Sequence, residues 1–309
     1  MAVAEPNKPA ALPARLKVAA IQQAFAGTPA ATFANTVEHI RAAAEAGAQL
    51  VCLQELHGNR YFCQHESEEL FDLAEPLNGP TSQQLGALAA ELGIVIVGSI
   101  FERRAQGVFH NTAVVFDNSP ELAGFYRKMH IPDDPGYYEK YYFTPGDAHS
   151  PGFQPIVTSV GKLGILVCWD QWYPEAARLM ALAGANLLIY PTAIGWDPIQ
   201  QADENQRQLE AWMTVQRGHA IANHLPVIST NRCGFEGDPS GQRNGIQFWG
   251  NSFICGQQGE FLARASEDQQ QTLLVDIDMS RTAQLRRTWP YMRDRRIEAF
   301  GDISKRWRD

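Results

Sequence analysis

Three residues at the ends of apolar runs could together do chemistry: a carboxylate, an ammonium and a thiol. Glu55 lies at the end of LVCLQEL (50–56), Lys128 closes LAGFYRK (122–128) and Cys168 closes LGILVC (163–168). A thiol needs a base to become a good nucleophile, and a carboxylate at hydrogen-bond reach can serve. An ammonium beside both would steady a thiolate and the oxyanion that forms when it attacks a carbonyl carbon. Taken singly each has a plainer explanation. A cysteine ending an apolar strand is more often a packed thiol, since free Cys is among the most buried residue types.

The residues around Cys168 argue for more than packing. After VCWDQWY a helical pattern begins at Pro174, so Cys168 is expected at the carboxyl end of a strand, the edge where open α/β sheets bind ligands. The following helix would add partial positive charge there. Glu139, among the four tyrosines of PGYYEKYYFTPG, is a candidate carboxylate for holding Lys128 in place.

Those side chains need a scaffold, and the periodicity supplies one. LKVAAIQ (16–22) predicts a buried strand, 32–49 a helix broken at Gly47, and 50–56 a second strand. Helix TSQQLGALAAELG and strand IVIVGSIFE follow, then a hairpin of NTAVVFD and LAGFYRK around the turn formers DNSPE. Residues 129–152 form a long Pro- and Gly-rich segment, of a length that in a compact domain is more often functional than filler. Strand 163–168, helix 174–185, strand 186–192 and helix 204–224 come next. Strands PVISTNR, NSFICG and TLLVDID and a last helix near MSRTAQLRR complete the pattern. Alternating β–α units mixed with hairpins fit two packed sheets with outer helices better than one doubly wound sheet. The expected organisation is a flexible leader over 1–14, a single domain over 15–300, and an aromatic, Arg-rich arm over 289–309 that packs on a neighbouring subunit.

Composition narrows the function classes. The 309-residue chain is 45% hydrophobic and 19% charged, as in ordinary globular proteins. A formal charge of -8 argues against nucleic-acid binding and is compatible with a cationic small substrate. Five scattered cysteines without a CxxC pair point away from disulfide scaffolds and structural zinc, and toward a reducing, cytoplasmic setting. The first residues lack the apolar core of a signal peptide, and no window is long enough for a membrane span.

Glu55 in LQEL, Lys128 in YRKMHIP and Cys168 in LVCWDQWYPEAAR, in that order, resemble the nitrilase superfamily of carbon-nitrogen hydrolases over about residues 15–300. YFCQ (61–64), HIPDDPGYYEKYYFTPGD, CWDQW and PTAIG resemble, within it, the branch that removes the carbamoyl group from a carbamoylated diamine. The resemblance implies a four-layer αββα sandwich, a homo-oligomer built on dimers, and no metal or other cofactor. It implies Glu55 as base, Lys128 and the Trp169 amide as oxyanion donors, Cys168 as nucleophile and Glu139 as the family's extra glutamate. The expected reaction releases the free diamine, carbon dioxide and ammonia through a thioester.

A diamine substrate carries a distal ammonium, which needs a carboxylate partner. Asp197, after PTAIGW, is the first choice, with Asp133 and Asp134 of HIPDD behind it. N-carbamoyl-β-alanine and N-carbamoyl-D-amino acids, the competing carbamoyl substrates, are anionic at the far end and would call for Arg or Lys instead. An aliphatic amide is a further alternative. A Cys-His-Asp/Glu hydrolase with a nucleophile elbow needs small residues around the thiol, which Val167, Trp169, Asp170 and Gln171 do not supply. His130, His219 and His224 have no evident tie to Cys168. A binding-only subunit would be expected to have lost a catalytic residue, and no Gly-rich phosphate loop supports a nucleotide-dependent ligase.

Overall fold

Strict alternation along four strands sorts their side chains into two apolar layers. The computed structural model describes residues 12–308. Its strands, in chain order, begin with β1 (Arg15–Gln22), β2 (Leu50–Cys52), β3 (Val95–Ala105), β4 (Val108–Asp117) and β5 (Leu122–Arg127). They continue with β6 (Ile156–Thr158), β7 (Gly161–Ile165), β8 (Leu187–Pro191), β9 (Gly195–Trp196) and β10 (Val227–Thr230). The last five are β11 (Cys233–Glu236), β12 (Ile246–Trp249), β13 (Phe253–Cys255), β14 (Phe261–Arg264) and β15 (Gln271–Asp278). The helices are α1 (Pro29–Glu45), α2 (Pro80–Leu92), the single turn α3 (Glu139–Tyr142), α4 (Pro174–Leu182), α5 (Ala202–Asn223) and α6 (Ser280–Thr288).

One six-stranded sheet runs β15-β1-β2-β3-β4-β5 and the other β14-β13-β10-β8-β7-β6. Strands β1, β2 and β3 are mutually parallel, as are β7, β8 and β10, and hairpins extend each sheet antiparallel. In the first sheet Val18, Ala20, Leu50, Cys52, Val95, Val97, Ala113 and Val115 belong to the large core shared with the second sheet. Their alternating neighbours Ala19, Ile21, Val51, Leu53, Ile96 and Val114 pack instead with Ile40 of α1 and Leu85, Leu88 and Ala89 of α2. A side-chain period of two puts opposite faces of one strand into two different layers. On the far side α4 and α5 contribute Met180, Trp212 and Met213 to the shared core. The result is the four-layer αββα sandwich. A three-stranded sheet, β11-β12-β9, lies apart from both large sheets.

Helix starts follow local chemistry. Thr28 Oγ1 accepts the Ala31 amide at 3.1 Å and Pro29 takes the first turn, so α1 begins ahead of the expected residue 32. Strand ends fall short of the apolar runs. The pairing of β7 with β8 ends at Ile165, and β2 ends at Cys52, so neither Cys168 nor Glu55 is in a strand. Apolar periodicity does not mark where a partner strand stops. The short strands β6, β9, β11, β12 and β14 also escape the sequence reading.

Of the expected leader, residues 1–11 lie outside the described residues; Ala14 accepts the Met279 amide at 2.9 Å. Beyond α6 the chain makes two short turns, Ile297–Ala299 and Gly301–Ser304, and leaves Ile303 and Trp307 exposed. No described helix is long and apolar enough to cross a membrane.

Ile189 sits in the centre of β8 with no exposed surface. Ile189→Ala is expected to cost about 2–5 kcal/mol of unfolding free energy, the range for a cavity left in a packed core, measured by urea titration.

Candidate active site

Segments beyond three strands, and one helical turn, bring the sequence-predicted chemistry together. Glu55 follows β2, Lys128 follows β5, Glu139 opens α3 and Cys168 follows β7. All four are buried. Lys128 Nζ donates to Glu55 Oε1 at 2.8 Å and to Glu139 Oε2 at 2.6 Å. The other oxygen of Glu139 accepts from Tyr61 OH at 2.8 Å, and Glu55 Oε1 also accepts from Asn111 Nδ2 at 2.6 Å. Glu55 Oε2 is buried without a hydrogen-bond partner among the described residues. An ammonium has three protons, so two carboxylates leave Lys128 one donor to spare.

The electrostatics follow from two carboxylates sharing one ammonium in a dry place. Burial opposes charge on Lys128, but Glu139 and Glu55 outweigh it and hold its pKa well above the usual lysine value. Burial, reinforced by Glu55, raises Glu139 above the usual carboxylate range even though Lys128 and Tyr61 pull the other way. Cys168 is pushed well above the ordinary thiol value, first by burial and then by Glu55, with Lys128 opposing. A thiolate would add a second uncompensated negative charge, so the resting residue is the neutral thiol. Its Sγ lies 4.0 Å from the Ala193 carbonyl oxygen.

Cys168 opens a 3-10 turn, Cys168–Trp172, with φ at +43°, in the left-handed region that a non-glycine residue occupies at a cost of about 1–3 kcal/mol. Leu56, next to Glu55, has φ +48°. Bulky neighbours therefore do not prevent a strained backbone at the thiol, contrary to the expectation from Val167 and Trp169. Polar ties hold it. Asp170 Oδ2 accepts the Val167 amide at 2.9 Å and Tyr126 OH at 2.8 Å, while Oδ1 accepts the His130 amide at 3.0 Å and bonds His130 Nδ1 at 2.6 Å. Gln171 accepts Trp212 Nε1 at 2.8 Å, and its carbonyl bonds His219 Nε2 at 2.8 Å. His130 and His219 thus anchor the turn and do not bond the thiol. His224 ends α5 in the left-handed conformation, its ring stacked on Tyr291.

A cavity of about 260 Å³ opens on Cys168 and Glu139. Tyr137, Trp169, Trp172, Ile194 and Trp249 form much of its wall, and Asp134 is its other acid. Asp134 Oδ1 is buried and unpartnered among the described residues, and burial raises that carboxyl above its usual range. Among the described residues no Lys or Arg lines this cavity. Asp197 is not among the lining residues; its Oδ2 is held by Arg243 at 2.8 Å. Asp133 is exposed. The structure thus brings Asp134 to the cavity and leaves the first-choice Asp197 outside, already neutralised. Arg243 is far from Asp197 in sequence, so the pairing carried no local signal. Among the described residues no cluster of three or more His, Cys, Asp or Glu is placed to hold a metal ion.

Several positioning residues escaped the sequence reading. Asn111 was visible only as the first residue of a strand. Arg232, buried, donates to the carbonyls of Glu55 at 3.3 Å and Leu56 at 2.8 Å and to Glu236 at 2.7 Å. Asn231 bonds the backbone of Ile194 in both directions, at 3.0 and 3.1 Å. A buried Asn-Arg pair directly after an apolar strand was the available signal.

The family model for carbon-nitrogen hydrolases matches residues 17–287. An N-carbamoylputrescine amidase of Solanum lycopersicum is 42% identical over 285 residues, covering 92% of this chain and 93% of the relative. A citrullinase of Francisella tularensis is 38% identical over 295 residues, 95% of this chain and 100% of the relative. The solved carbon-nitrogen hydrolase of Helicobacter pylori G27 superposes with a TM-score of 0.91 at 51% identity, covering 95% of this chain and 100% of that one. A mutant amidase from Nesterenkonia sp. AN1, solved with the acetamide moiety of fluoroacetamide added covalently at its active site cysteine, gives 0.70 at 25% identity, covering 92% and 94%.

Asp170 accepts four bonds in a dry site, so Asp170→Ala is expected to lower unfolding free energy by about 3 kcal/mol or more by denaturant titration, because the Val167 and His130 amides lose their acceptor. The raised Cys168 value gives a spectroscopic expectation. At near-neutral pH the wild type and Cys168→Ala should show the same thiolate absorbance near 240 nm; an excess in the wild type would mean a preformed thiolate.

Proposed function

Because this chain belongs to the carbon-nitrogen hydrolase family, the nitrilase superfamily, we propose that it hydrolyses the ureido group of a carbamoylated diamine, N-carbamoylputrescine, to putrescine, carbon dioxide and ammonia. The observation that carries the substrate is the cavity beside Cys168, which offers an unpartnered Asp134 oxygen and aromatic walls but no basic side chain. A distal ammonium meets both a carboxylate and indole faces there, and both favour a cation. An anionic far end, as in N-carbamoyl-β-alanine, would meet Asp134 and Glu139 as the charged groups of the described lining. The relative from Solanum lycopersicum supports the same reading. Such a reaction would serve polyamine formation from agmatine.

The chemistry follows from the site. Glu55 Oε2, the unpartnered oxygen, takes the Cys168 proton as sulfur attacks the ureido carbon. The spare Lys128 proton and the Trp169 amide hold the oxyanion. As the tetrahedral species collapses, the Glu55 proton goes to the departing nitrogen, leaving a thioester on Cys168. Glu55 then takes a proton from water, the hydroxyl adds to the thioester carbon, and the thiol regains a proton as the C–S bond breaks, releasing a carbamic acid that loses carbon dioxide to free the second nitrogen. Glu139, which accepts from Lys128 Nζ at 2.6 Å, holds that ammonium in place throughout. The covalent adduct at the cysteine of the Nesterenkonia amidase supports Cys168 as nucleophile.

Exposed Leu179 and Leu182 of α4, beside a groove shared with Phe300 and Ile303 of the arm, support assembly through this face with a second copy. The cytoplasm remains the compartment that five free cysteines suit best.

Ammonia release from N-carbamoylputrescine, citrulline, N-carbamoyl-β-alanine and a simple aliphatic amide tests the substrate. The diamine derivative should give the highest kcat/KM; preference for citrulline would transfer the assignment to the activity of the Francisella relative. Cys168→Ala and Glu55→Gln should each abolish turnover. Asp134→Asn should raise KM for N-carbamoylputrescine by about tenfold or more, as for loss of a buried charge partner, yet leave that for the neutral propylurea within about threefold. Equal changes on both would remove Asp134 from ammonium recognition. Sedimentation velocity of Leu182→Arg should show a smaller species than wild type; unchanged size would clear this face of an assembly role.

A further inference from the structure

Glu55 has two oxygens in different situations, and the difference traces to one side chain outside the catalytic residues named above. Asn111, in β4, has no exposed surface. Its Nδ2 donates to Glu55 Oε1 at 2.6 Å, and the same oxygen receives Lys128 Nζ at 2.8 Å. The carbonyl oxygen of Asn111 accepts the Lys128 amide at 2.9 Å. One residue therefore touches base and oxyanion donor together, the first through its side chain and the second through its backbone. Asn111 Oδ1 is buried with no partner among the described residues, a cost that an apolar side chain of similar size would avoid. Structural packing alone gives no reason to keep an amide there.

We propose that Asn111 is a positioning residue that makes Glu55 Oε2 the working oxygen of the general base. This rests on the reading of Glu55 as base given above. With both donors on Oε1, that oxygen carries no proton at any step and only Oε2 gains and loses one. A neutral amide also bonds a carboxylate and the carbonyl oxygen of a carboxylic acid alike, so the carboxyl group stays in place when Glu55 is protonated. Lys128 alone would leave it free to turn about a single contact. The charged or titratable groups around Glu55 are Lys128, Glu139 of α3, Cys168, Tyr61, Cys63, and Arg232 at its carbonyl. None of these supplies a second donor to Oε1.

The test uses the full-length protein with Asn111→Leu, which keeps volume and removes the unsatisfied oxygen, and Asn111→Asp, which keeps shape and replaces the donor by an acceptor. The expected result in a folded Asn111→Leu is a fall in kcat of at least about 30-fold with KM within about threefold, and an equal slowing of Cys168 alkylation by iodoacetamide, as positioning effects of this kind commonly give. A kcat within about threefold of wild type would overturn the proposal, because a role in packing alone predicts an active, equally stable or more stable variant. If Asn111→Leu does not fold, the same kcat criterion is applied to Asn111→Asp. Failure of both to fold would put the amide in the stability of the sheet and overturn the proposal as well. Glu55→Gln separates the two levels: if it stays active, the reading of Glu55 as base fails, whereas if it is inactive and Asn111→Leu is fully active, only the role of Asn111 fails.

Discussion

Two carboxylates sharing one buried ammonium are the constraint around which this molecule is arranged. Lys128 between Glu55 and Glu139, at 2.8 and 2.6 Å, would be costly to bury if any partner were missing. The remaining lone pairs are therefore also met, by Tyr61 on Glu139 and by Asn111 on Glu55. What is left unmet among the described residues is Glu55 Oε2, the oxygen to which the proposed mechanism gives the proton transfer. Burial and the same negative surplus oppose ionisation of Cys168 and hold its pKa well above the usual thiol value.

Holding Cys168 at positive φ needs support as well, and it comes from residues on both sides of its turn. Asp170 is bound by Tyr126 and His130, which flank Lys128, and Gln171 by Trp212 and His219 of α5. The histidines in this region act as struts. Arg232 does the equivalent work for Glu55, clamping the carbonyls of Glu55 and Leu56 from the segment after β10.

Much of the layered architecture and the Glu55, Lys128, Glu139 and Cys168 grouping could be read from the chain, because apolar runs ending in charged or reactive residues leave a strong imprint. The Asp197 choice shows what could not. Its loop position relative to β8 was sound, but Arg243 comes from a distant segment and neutralises it, and a pairing set by tertiary approach leaves no local pattern. Asp134 and Asp133 are adjacent and chemically identical, and only the path of the loop sends one to the cavity and the other to solvent. The strand ends were misplaced for a related reason: LGILVC is apolar to its last residue, yet the residue pairing with β8 ends at Ile165, with a last bond from the Leu166 amide to the Ile189 carbonyl. Asn111 looked like any polar residue at a strand start.

The site draws its members from opposite halves of the sandwich. Glu55, Asn111 and Lys128 are carried by the sheet of β2, β4 and β5, whereas Cys168, Ala193 and Asn231 are carried by the sheet of β7, β8 and β10. The gap between Glu55 and Cys168 is therefore the gap between two separately hydrogen-bonded slabs. Its width is set by side chains such as Val97, Ile165 and Ile189, which lie in the shared core and not in the cavity wall. Interiors packed like molecular crystals pass a displacement on instead of absorbing it. In such a layout the filler between the slabs acts as the gauge block of the site, and a lost methylene deep in the core is a misalignment of Glu55 against Cys168 before it is a loss of fold.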